Sequence, residues 1–266
     1  ASDVYKRQSK ILAAGPEQSN LCALTAAACA KAGLDCELII NAAEPARKEG
    51  NLLLEELLGT KIHFLGPCDG AVRNRRMEEL AAAYQSAGEQ VYVVRNGATT
   101  GRGALGYTAA VVEMKRQCED LGIGRMTIFA PGGNGGVAAG LIYGNQLMGQ
   151  PFRIVIVSVE DDRETLTAHI RSTISEVVEI TGLPMDVSVE QAAEITDAYR
   201  GGGWGENTEE SQQAVLSFAR SEGIFIENVY TSKVLVGMMD WIEQKKVSGS
   251  VCYLHTGGLG SLFAQY

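Results

Sequence analysis

A glycine-rich turn is the part of this sequence whose residue types point most directly to chemistry. Residues 129–144 read FAPGGNGGVAAGLIYG, with four glycines among the five residues 132–136. An apolar run precedes them and a helix is predicted to begin near Val137, so backbone N–H groups would face one point at a helix N-terminus. Glycines in such a turn can serve close packing alone, but their density here favours an anion-binding site.

Two anionic cofactors fit this turn. The spacing Gly133-x-Gly135-x-x-Ala138 matches a dinucleotide fingerprint, and Glu160 closes the next predicted strand at the spacing expected for a ribose partner. On that alternative the protein is an NAD-dependent oxidoreductase. The single phosphate of pyridoxal phosphate (PLP) would be held by the same kind of turn. The rest of the chain has to distinguish the two.

The elements that must position the turn follow a strand–helix alternation. Short β-rich runs predict strands at 10–14, 36–40, 61–65, 91–94, 126–130, 152–159 and 250–255. Ala-rich and amphipathic runs predict helices at 24–33, 74–88, 104–120, 161–180 and 208–223. This alternation predicts a three-layer α/β fold with mostly parallel sheets and helices on both faces.

The glycine-dotted segment 96–106, NGATTGRGALG, is the predicted boundary between two α/β lobes. We expect a smaller lobe over residues 10–108 and a larger lobe over 109–266 that carries the glycine turn. The first residues, ASDVYKRQS, fit neither a strand nor a helix of the pattern, and the first strand follows abruptly. We therefore expect the N-terminal part of the larger lobe to be missing from this chain.

Composition narrows the classes of partner. The formal net charge is −9 and no Lys/Arg cluster is dense, so nucleic acid is not an expected partner. No apolar run in the sequence has the length of a membrane span. The six cysteines contain no CxxC pair and the three histidines are scattered, which predicts no bound metal. We interpret the cysteines as reduced thiols of a cytoplasmic protein.

Four short motifs carry a resemblance to a known family. They are QSN at 18–20, GY at 106–107, EGIFIENVYTSK at 222–233 and HTGG at 255–258. In this order, and with the glycine turn, they resemble the D-cysteine desulfhydrase and 1-aminocyclopropane-1-carboxylate (ACC) deaminase group of fold-type-II PLP enzymes. The resemblance runs from about residue 10 to the C-terminus. It implies a two-lobed, tryptophan-synthase-β-like fold, PLP as cofactor, a small amino acid as substrate and a homodimer.

The resemblance implies a phosphate-binding role for the glycine turn. The family's turn resembles G-S-G-G-T, and here it reads Gly133-Asn134-Gly135-Gly136-Val137. The backbone cradle is kept, and Asn134 can still donate a hydrogen bond. Val137 offers no hydroxyl, which implies a weaker grip on the phosphate. The alternative for Val137 is ordinary packing at the start of a helix.

The QSN motif implies contacts with the cofactor ring and the substrate. In the family, the residue matching Asn20 contacts the ring hydroxyl, and the one matching Ser19 lies near the substrate carboxylate and reacting carbon. Gln18 is expected on the same substrate-binding rim. Leu21 stands where the family usually has His, so this rim differs from the pattern. Without the resemblance, Ser19 and Asn20 are more simply interpreted as caps of the following helix.

The C-terminal motifs imply the reaction. Tyr230 matches a family tyrosine that approaches the substrate, and Thr231 stands where the deaminase branch has Glu and the desulfhydrase branch Thr. A hydroxyl beside the ring nitrogen favours a neutral ring, a weaker electron sink that suffices for β-elimination. Thr256 is expected as a second hydroxyl at that ring edge, and Trp204 replaces a second tyrosine of the substrate pocket. For both threonines the alternative is a helix cap or a strand end.

These residues favour α,β-elimination of the D-cysteine desulfhydrase type, giving a keto acid, ammonia and sulfide, with ACC deamination as the alternative. The chemistry needs a lysine that forms a Schiff base, which the family carries in a G-N-K-type segment ahead of QSN. Nothing similar precedes Lys10, Lys6 lacks the Gly and Asn, and Lys233 matches a different family lysine. We expect a truncated, by itself inactive enzyme; the alternative is a lysine-free, non-catalytic ligand-binding module.

Overall fold

The computed structural model describes residues 9–266, which form two compact units. The first unit contains residues 9–98 together with the returning segment Leu259–Tyr266, and the second contains Thr99–Gly258. The junction at 98/99 lies inside the glycine-dotted segment 96–106, while the lobe bounds 10–108 and 109–266 stay a prediction. Lys6 lies outside the described residues.

Strands and helices alternate in both units. The first unit contains β1 (Lys10–Gly15), α1 (Asn20–Ala32), β2 (Asp35–Ile40), α2 (Gly50–Leu57), β3 (Lys61–Phe64), α3 (Gly70–Ser86), β4 (Val91–Val93) and a 3-10 turn (Asn96–Ala98). The second unit contains α4 (Gly101–Asp120), β5 (Met126–Gly132), α5 (Gly136–Leu147), β6 (Phe152–Ser158), α6 (Arg163–Thr181), α7 (Val189–Ala192), β7 (Glu194–Thr196), α8 (Glu209–Glu222), α9 (Thr231–Glu243) and β8 (Ser250–Tyr253). The helix α10 (Leu259–Leu262) then belongs to the first unit.

Each unit is built on a four-stranded parallel sheet. The strand orders are β3-β2-β1-β4 in the first unit and β7-β6-β5-β8 in the second. The central strands β1 and β5 are buried over their whole length, as expected where helices cover both faces of a parallel sheet. The predicted α/β class with mostly parallel sheets is confirmed.

Apolar side chains fill both faces of each sheet. In the first unit, α3 packs on one face through Met77 and Ala81, and α1 packs on the other through Cys22 and Ala26. In the second unit, the larger core lies between the sheet and the helices α4, α5 and α6. The opposite face of that sheet carries Trp241 of α9. Each unit is therefore a three-layer arrangement.

Helix ends follow the capping chemistry that the sequence predicts. Asp162 accepts a hydrogen bond from the Thr165 N–H at 2.8 Å and begins α6. Thr208 and Ser211 form a reciprocal capping box at the start of α8. Gly33 and Gly223 end their helices in the left-handed conformation, with φ of 68° and 67°. These local signals fix where the helices begin and end.

The returning helix α10 lies directly against the start of α2. A side chain on Gly260 would collide with Asn51 Oδ1, and one on Gly50 would lie 2.9 Å from the Gly260 carbonyl oxygen. Both glycines are therefore required for the close approach of the two backbones.

The helices α4 and α5 also pack at a distance that only glycine permits. A Cβ on Gly140 would collide with the Ala104 carbonyl oxygen and lie 2.7 Å from Tyr107 Cβ. We expect Gly140→Ala to lower the free energy of unfolding by about 1–3 kcal/mol, because two helix backbones would have to separate. Urea unfolding followed by circular dichroism measures this change.

The matched control is Gly106→Ala, another helical glycine. Gly106 lies in α4, is exposed, and has no neighbouring atom within 4 Å of the place that a Cβ would take. Alanine there is expected to raise stability by about 0.5–1 kcal/mol, because alanine favours the helix. Equal effects of the two substitutions would contradict the close-packing argument.

Across residues 9–266, every helix is too short or too polar to cross a membrane.

Candidate functional site

The glycine turn forms a bare backbone cradle at the N-terminus of α5. The strand β5 ends at Gly132, and Gly135 is the N-cap of α5 with φ of 90°. A side chain on Gly135 would lie 3.2 Å from the Ile170 backbone nitrogen, and one on Gly136 would lie 3.3 Å from Thr99 Oγ1. The first N–H groups of a helix have no intrahelical acceptor, so this turn offers donors to an anion.

The other two residues of the turn lie as expected for a phosphate site. Asn134 is half-buried between the glycines, and Val137 is half-buried in the first turn of α5. Asn134 can add a side-chain donor to the backbone donors. Val137 can contribute its N–H alone, so the cradle binds an anion mainly through its backbone.

The aromatic ring of Tyr230 lies against the cradle. Its Cε1 atom is 3.3 Å from the position that a Cβ of Gly133 would take, and Glu160 Oε2 is 3.9 Å from the same position. Burial raises the pKa of Glu160, and the charge of Asp161 acts in the same direction. The structure thus brings together three groups that the sequence predicts separately: Gly133, Tyr230 and Glu160.

Trp204 is hydrogen-bonded to Tyr230. The indole Nε1–H donates to the Tyr230 hydroxyl at 2.6 Å, and 42% of Trp204 is exposed. Burial raises the pKa of Tyr230 to about 12, although the Trp204 hydrogen bond acts in the opposite direction. The phenol therefore keeps its proton at neutral pH. Because the indole is a donor only, that proton is not used in the pair.

The turn before α9 is organised by Glu227, which sequence reasoning missed. This buried carboxylate accepts N–H groups of Val229, Tyr230 and Thr231 at 2.7–2.8 Å, and also the Thr231 hydroxyl at 2.9 Å. Four donors on one carboxylate fix the backbone that carries Tyr230. The signal in the sequence was an acidic residue just ahead of a helix start, where its charge also stabilises the helix dipole.

The two predicted ring-edge threonines lie in different surroundings. The Thr231 hydroxyl donates to Glu227 and accepts the Glu227 N–H at 2.8 Å, and Thr231 is 1% exposed. This is the helix-cap arrangement that its sequence also allows. The Thr231 carbonyl accepts the Tyr253 hydroxyl at 2.9 Å. Thr256 is half-buried, and its role at the ring edge stays a prediction like that of Thr231.

In the first unit, the QSN motif surrounds the start of α1. Ser19 is buried, and its hydroxyl accepts the Cys22 N–H at 3.2 Å as an N-cap. The Asn20 Oδ1 atom accepts from Asn51 Nδ2 at 2.8 Å. Gln18 completes this group, because its Oε1 accepts the Asn51 N–H at 2.8 Å and its carbonyl accepts Asn51 Nδ2 at 3.0 Å.

Asn51 is a second residue that sequence reasoning missed. It is 2% exposed and contacts Gln18 and Asn20 through both its backbone and its side chain. Because it donates to Asn20 Oδ1, it orients the Asn20 amide so that the Nδ2 group is the end left to donate. Nothing local marks this residue, since the contact joins positions 31 residues apart.

Comparison with solved structures shows the same fold. A crystal structure described as an ACC deaminase homologue matches with a TM-score of 0.88 and 28% identity, over 99% of this chain and 78% of that one. A hydrogen sulfide-producing enzyme from Fusobacterium nucleatum matches at TM-score 0.64 and 12% identity, over 98% and 84% of the two chains. A threonine deaminase from the organism abbreviated T.th. matches at TM-score 0.63 and 15% identity, over 94% and 78%.

The cradle fits the phosphate of PLP. It presents backbone donors and one side-chain amide, and its glycines leave no side chain in the space that a phosphate would need. The model of the family described as pyridoxal-phosphate dependent enzymes matches residues 5–257. This match decides against the dinucleotide interpretation of Gly133, Gly135, Ala138 and Glu160. The chain belongs to the pyridoxal-phosphate dependent enzyme family, and its cofactor is pyridoxal 5'-phosphate.

Proposed function

We propose that the protein is a PLP-dependent lyase that removes a β-substituent from a small amino acid, with D-cysteine as the substrate. The Cα–H and Cβ–S bonds break, sulfide leaves, and the released 2-aminoacrylate takes up one water to give pyruvate and ammonia. The observation that carries this proposal is a hydroxyl, in place of a carboxylate, directly after Tyr230. The carboxylate in contact with that hydroxyl, Glu227, already accepts four hydrogen bonds from its own turn.

The cradle and the QSN motif would hold the cofactor. When bound, PLP supplies an electron sink for negative charge at the substrate α-carbon. Residues 133–137 would bind its phosphate through backbone N–H groups and the N-terminal end of α5. Asn20 would donate from Nδ2 to the ring hydroxyl, because its Oδ1 already accepts from Asn51. Thr231 and Thr256 offer hydroxyls without negative charge, which suits the elimination of a good leaving group such as sulfide.

Two hydroxyl groups would handle the substrate. Tyr230 keeps its proton at neutral pH, and Trp204 donates to the same oxygen, so the phenol can pass its proton to the leaving sulfur. Ser19 accepts the Cys22 N–H and keeps its own proton for donation to the substrate carboxylate. Trp204 would form the wall of the substrate pocket beside Tyr230, with Gln18 on the rim that carries Ser19.

ACC deamination is the second candidate. The observation that favours it is the 28% identity with a protein described as an ACC deaminase homologue. Against it stands Thr231, since the deaminase branch carries Glu at the matching position. The two reactions have different products, because ring opening of ACC gives 2-oxobutyrate and ammonia without sulfide.

The test offers D-cysteine, L-cysteine and ACC to the protein with PLP, and measures sulfide, pyruvate and 2-oxobutyrate. Each assay is run with and without ethylamine, because the sequence has no lysine matching the family's Schiff-base position and an added primary amine can take its place. We expect sulfide and pyruvate in equal amounts from D-cysteine, with ethylamine required. The matched control Tyr230→Phe keeps the ring against Gly133 and is expected to lose about 100-fold in rate.

Other products would contradict the proposal. Production of 2-oxobutyrate from ACC without sulfide from cysteine would favour deamination. Tight binding of PLP with no turnover of any substrate, with or without the amine, would favour the ligand-binding module.

A further inference from the structure

Lys233 is a fully buried cation in the first turn of α9. Its Nζ atom donates to three backbone carbonyl oxygens, those of Arg200 and Gly203 at 2.7 Å and that of Val159 at 3.3 Å. An ammonium has three N–H donors and no acceptor, so three carbonyls match its charged form. Within residues 9–266, no carboxylate lies within ion-pair distance of this nitrogen. Burial lowers the pKa of Lys233, while the charges of Glu227 and Glu206 oppose that shift.

The three carbonyls belong to the end of β6 and to two consecutive turns. The Arg200 carbonyl also accepts the Gly203 N–H, and the Gly203 carbonyl also accepts the Glu206 N–H, both at 3.3 Å. Lys233 therefore binds the carbonyl that closes each turn. Gly203 has φ of 128°, and the segment 200–206 contains four glycines, so its backbone has few restraints of its own.

The start of α9 holds this segment at a second point. Trp204 lies between the two turns and donates its indole N–H to Tyr230, three residues before Lys233. Lys233 thus binds the backbone of the segment and Tyr230 binds its indole. The ring of Tyr230 in turn lies against Gly133 of the cradle. A continuous set of contacts links the buried ammonium to the anion-binding turn.

We propose that Lys233 is a positioning residue whose ammonium orders segment 200–206, so that Trp204 holds the Tyr230 hydroxyl beside the cradle. Without the ammonium, three buried carbonyls lose their donor, and water entering to satisfy them would release the segment. This inference concerns the ordering of the segment and goes beyond the proposed lyase activity. It is tested in the absence of added PLP, so its failure is separate from a failure of the proposed function.

The test uses Trp204 as a fluorescent reporter. The sequence contains two tryptophans, so Trp241→Phe leaves Trp204 alone. In this background, Lys233→Met keeps an apolar side chain of similar length and removes the charge. We expect the Trp204 emission to shift to longer wavelength and its quenching by acrylamide to rise about twofold, because a released segment exposes the indole fully. The matched control Lys115→Met removes an exposed lysine and is expected to change neither value.

Chemical rescue separates positioning from a general loss of stability. Lys233→Ala leaves space for n-propylammonium, which restores the missing atoms and the three N–H donors. We expect this cation to return the Trp204 emission to that of the parent protein. Tetramethylammonium carries the same charge without N–H donors and is expected to have no effect. An unchanged Trp204 spectrum in folded Lys233→Met, or equal rescue by both cations, would overturn the proposal.

A measurement on folded parent protein covers the case in which these variants do not fold. Lysine labelled with ¹⁵N at Nζ should give a slowly exchanging ammonium signal for Lys233 at neutral pH, because the group is buried and has three acceptors. Trp204→Phe removes the second attachment of the segment and is expected to shift that signal and speed its exchange with water. A Lys233 signal that Trp204→Phe leaves unmoved would contradict the coupling.

Discussion

Glu55→Gln is expected to make the protein more stable above neutral pH. Glu55 lies in α2 with no exposed surface, and neither carboxylate oxygen has a hydrogen-bond partner among residues 9–266. The titratable groups that face it are the thiols of Cys22 and Cys36, which bring no positive charge. Burial raises the pKa of Glu55 to about 8 from an ordinary value of 4.5. The folded protein therefore favours the neutral acid.

The direction of the pH dependence follows from the proton affinity of each state. The folded state binds the Glu55 proton more tightly than the unfolded chain, so the stability is fully present below the unfolded pKa. It is lost as the pH rises from about 4.5 to 8, where the unfolded chain ionises and the folded protein does not. Between pH 6 and pH 9, the parent protein is expected to lose about 3 kcal/mol that Glu55→Gln retains.

Urea unfolding of both proteins between pH 6 and pH 9 measures this difference. The matched control is Glu56→Gln, the adjacent residue, whose carboxylate is exposed and pairs with Lys48. That substitution is expected to change stability by less than about 1 kcal/mol at every pH. Parallel stability curves for Glu55→Gln and the parent protein would show that Glu55 is not neutral in the fold.

Gly135→Ala is expected to remove most of the affinity for the cofactor phosphate. Gly135 has φ of 90°, and its Cβ would lie 3.2 Å from the Ile170 backbone nitrogen. The turn can relieve this contact only by moving, which turns its N–H groups away from the phosphate. A displacement that costs about 1.4–3 kcal/mol of binding lowers the affinity by about 10- to 100-fold. Calorimetric titration with PLP measures the loss.

The control for backbone strain is Gly149→Ala, beyond the other end of α5. Gly149 has φ of 78° and no neighbouring atom within 4 Å of an added side chain. Both substitutions should lose about 1–2 kcal/mol of stability to the left-handed conformation. Only Gly135→Ala should abolish the preference for PLP over pyridoxal, which lacks the phosphate. Equal binding of PLP by the two variants would place the phosphate elsewhere.

The regular elements could be predicted where local signals are strong. The buried strands β1, β5 and β6 are continuous apolar runs, and α6 and α8 carry predicted caps, so their existence and type are confirmed. Shorter elements were missed. The strand β7 has three residues, and α2 has eight, which is too little sequence for a periodicity to stand out. The helix α9 follows the VYT motif without a side-chain cap, since Glu227 stabilises its start from outside.

The site divides in the same way. The glycine turn was predicted because its function depends on backbone freedom, which composition reveals. The supporting residues Asn51, Glu227 and Lys233 act through contacts that tertiary folding creates, up to 74 residues away along the chain for Lys233. Sequence spacing carries no information about such contacts. The specific roles of Thr231 and Thr256 stay predictions, and so does the truncation that the sequence suggests.

The return of α10 to the first unit has a consequence for biosynthesis. A ribosome must translate the roughly 160 residues of the second unit before it reaches Gly260, which lies against Asn51. At about 5–20 residues per second, this interval lasts on the order of 10–30 s. Until then the nascent first unit lacks the helix that covers Asn51, the support of Asn20. The second unit, by contrast, is complete before synthesis ends, so the unit made first is the last to mature.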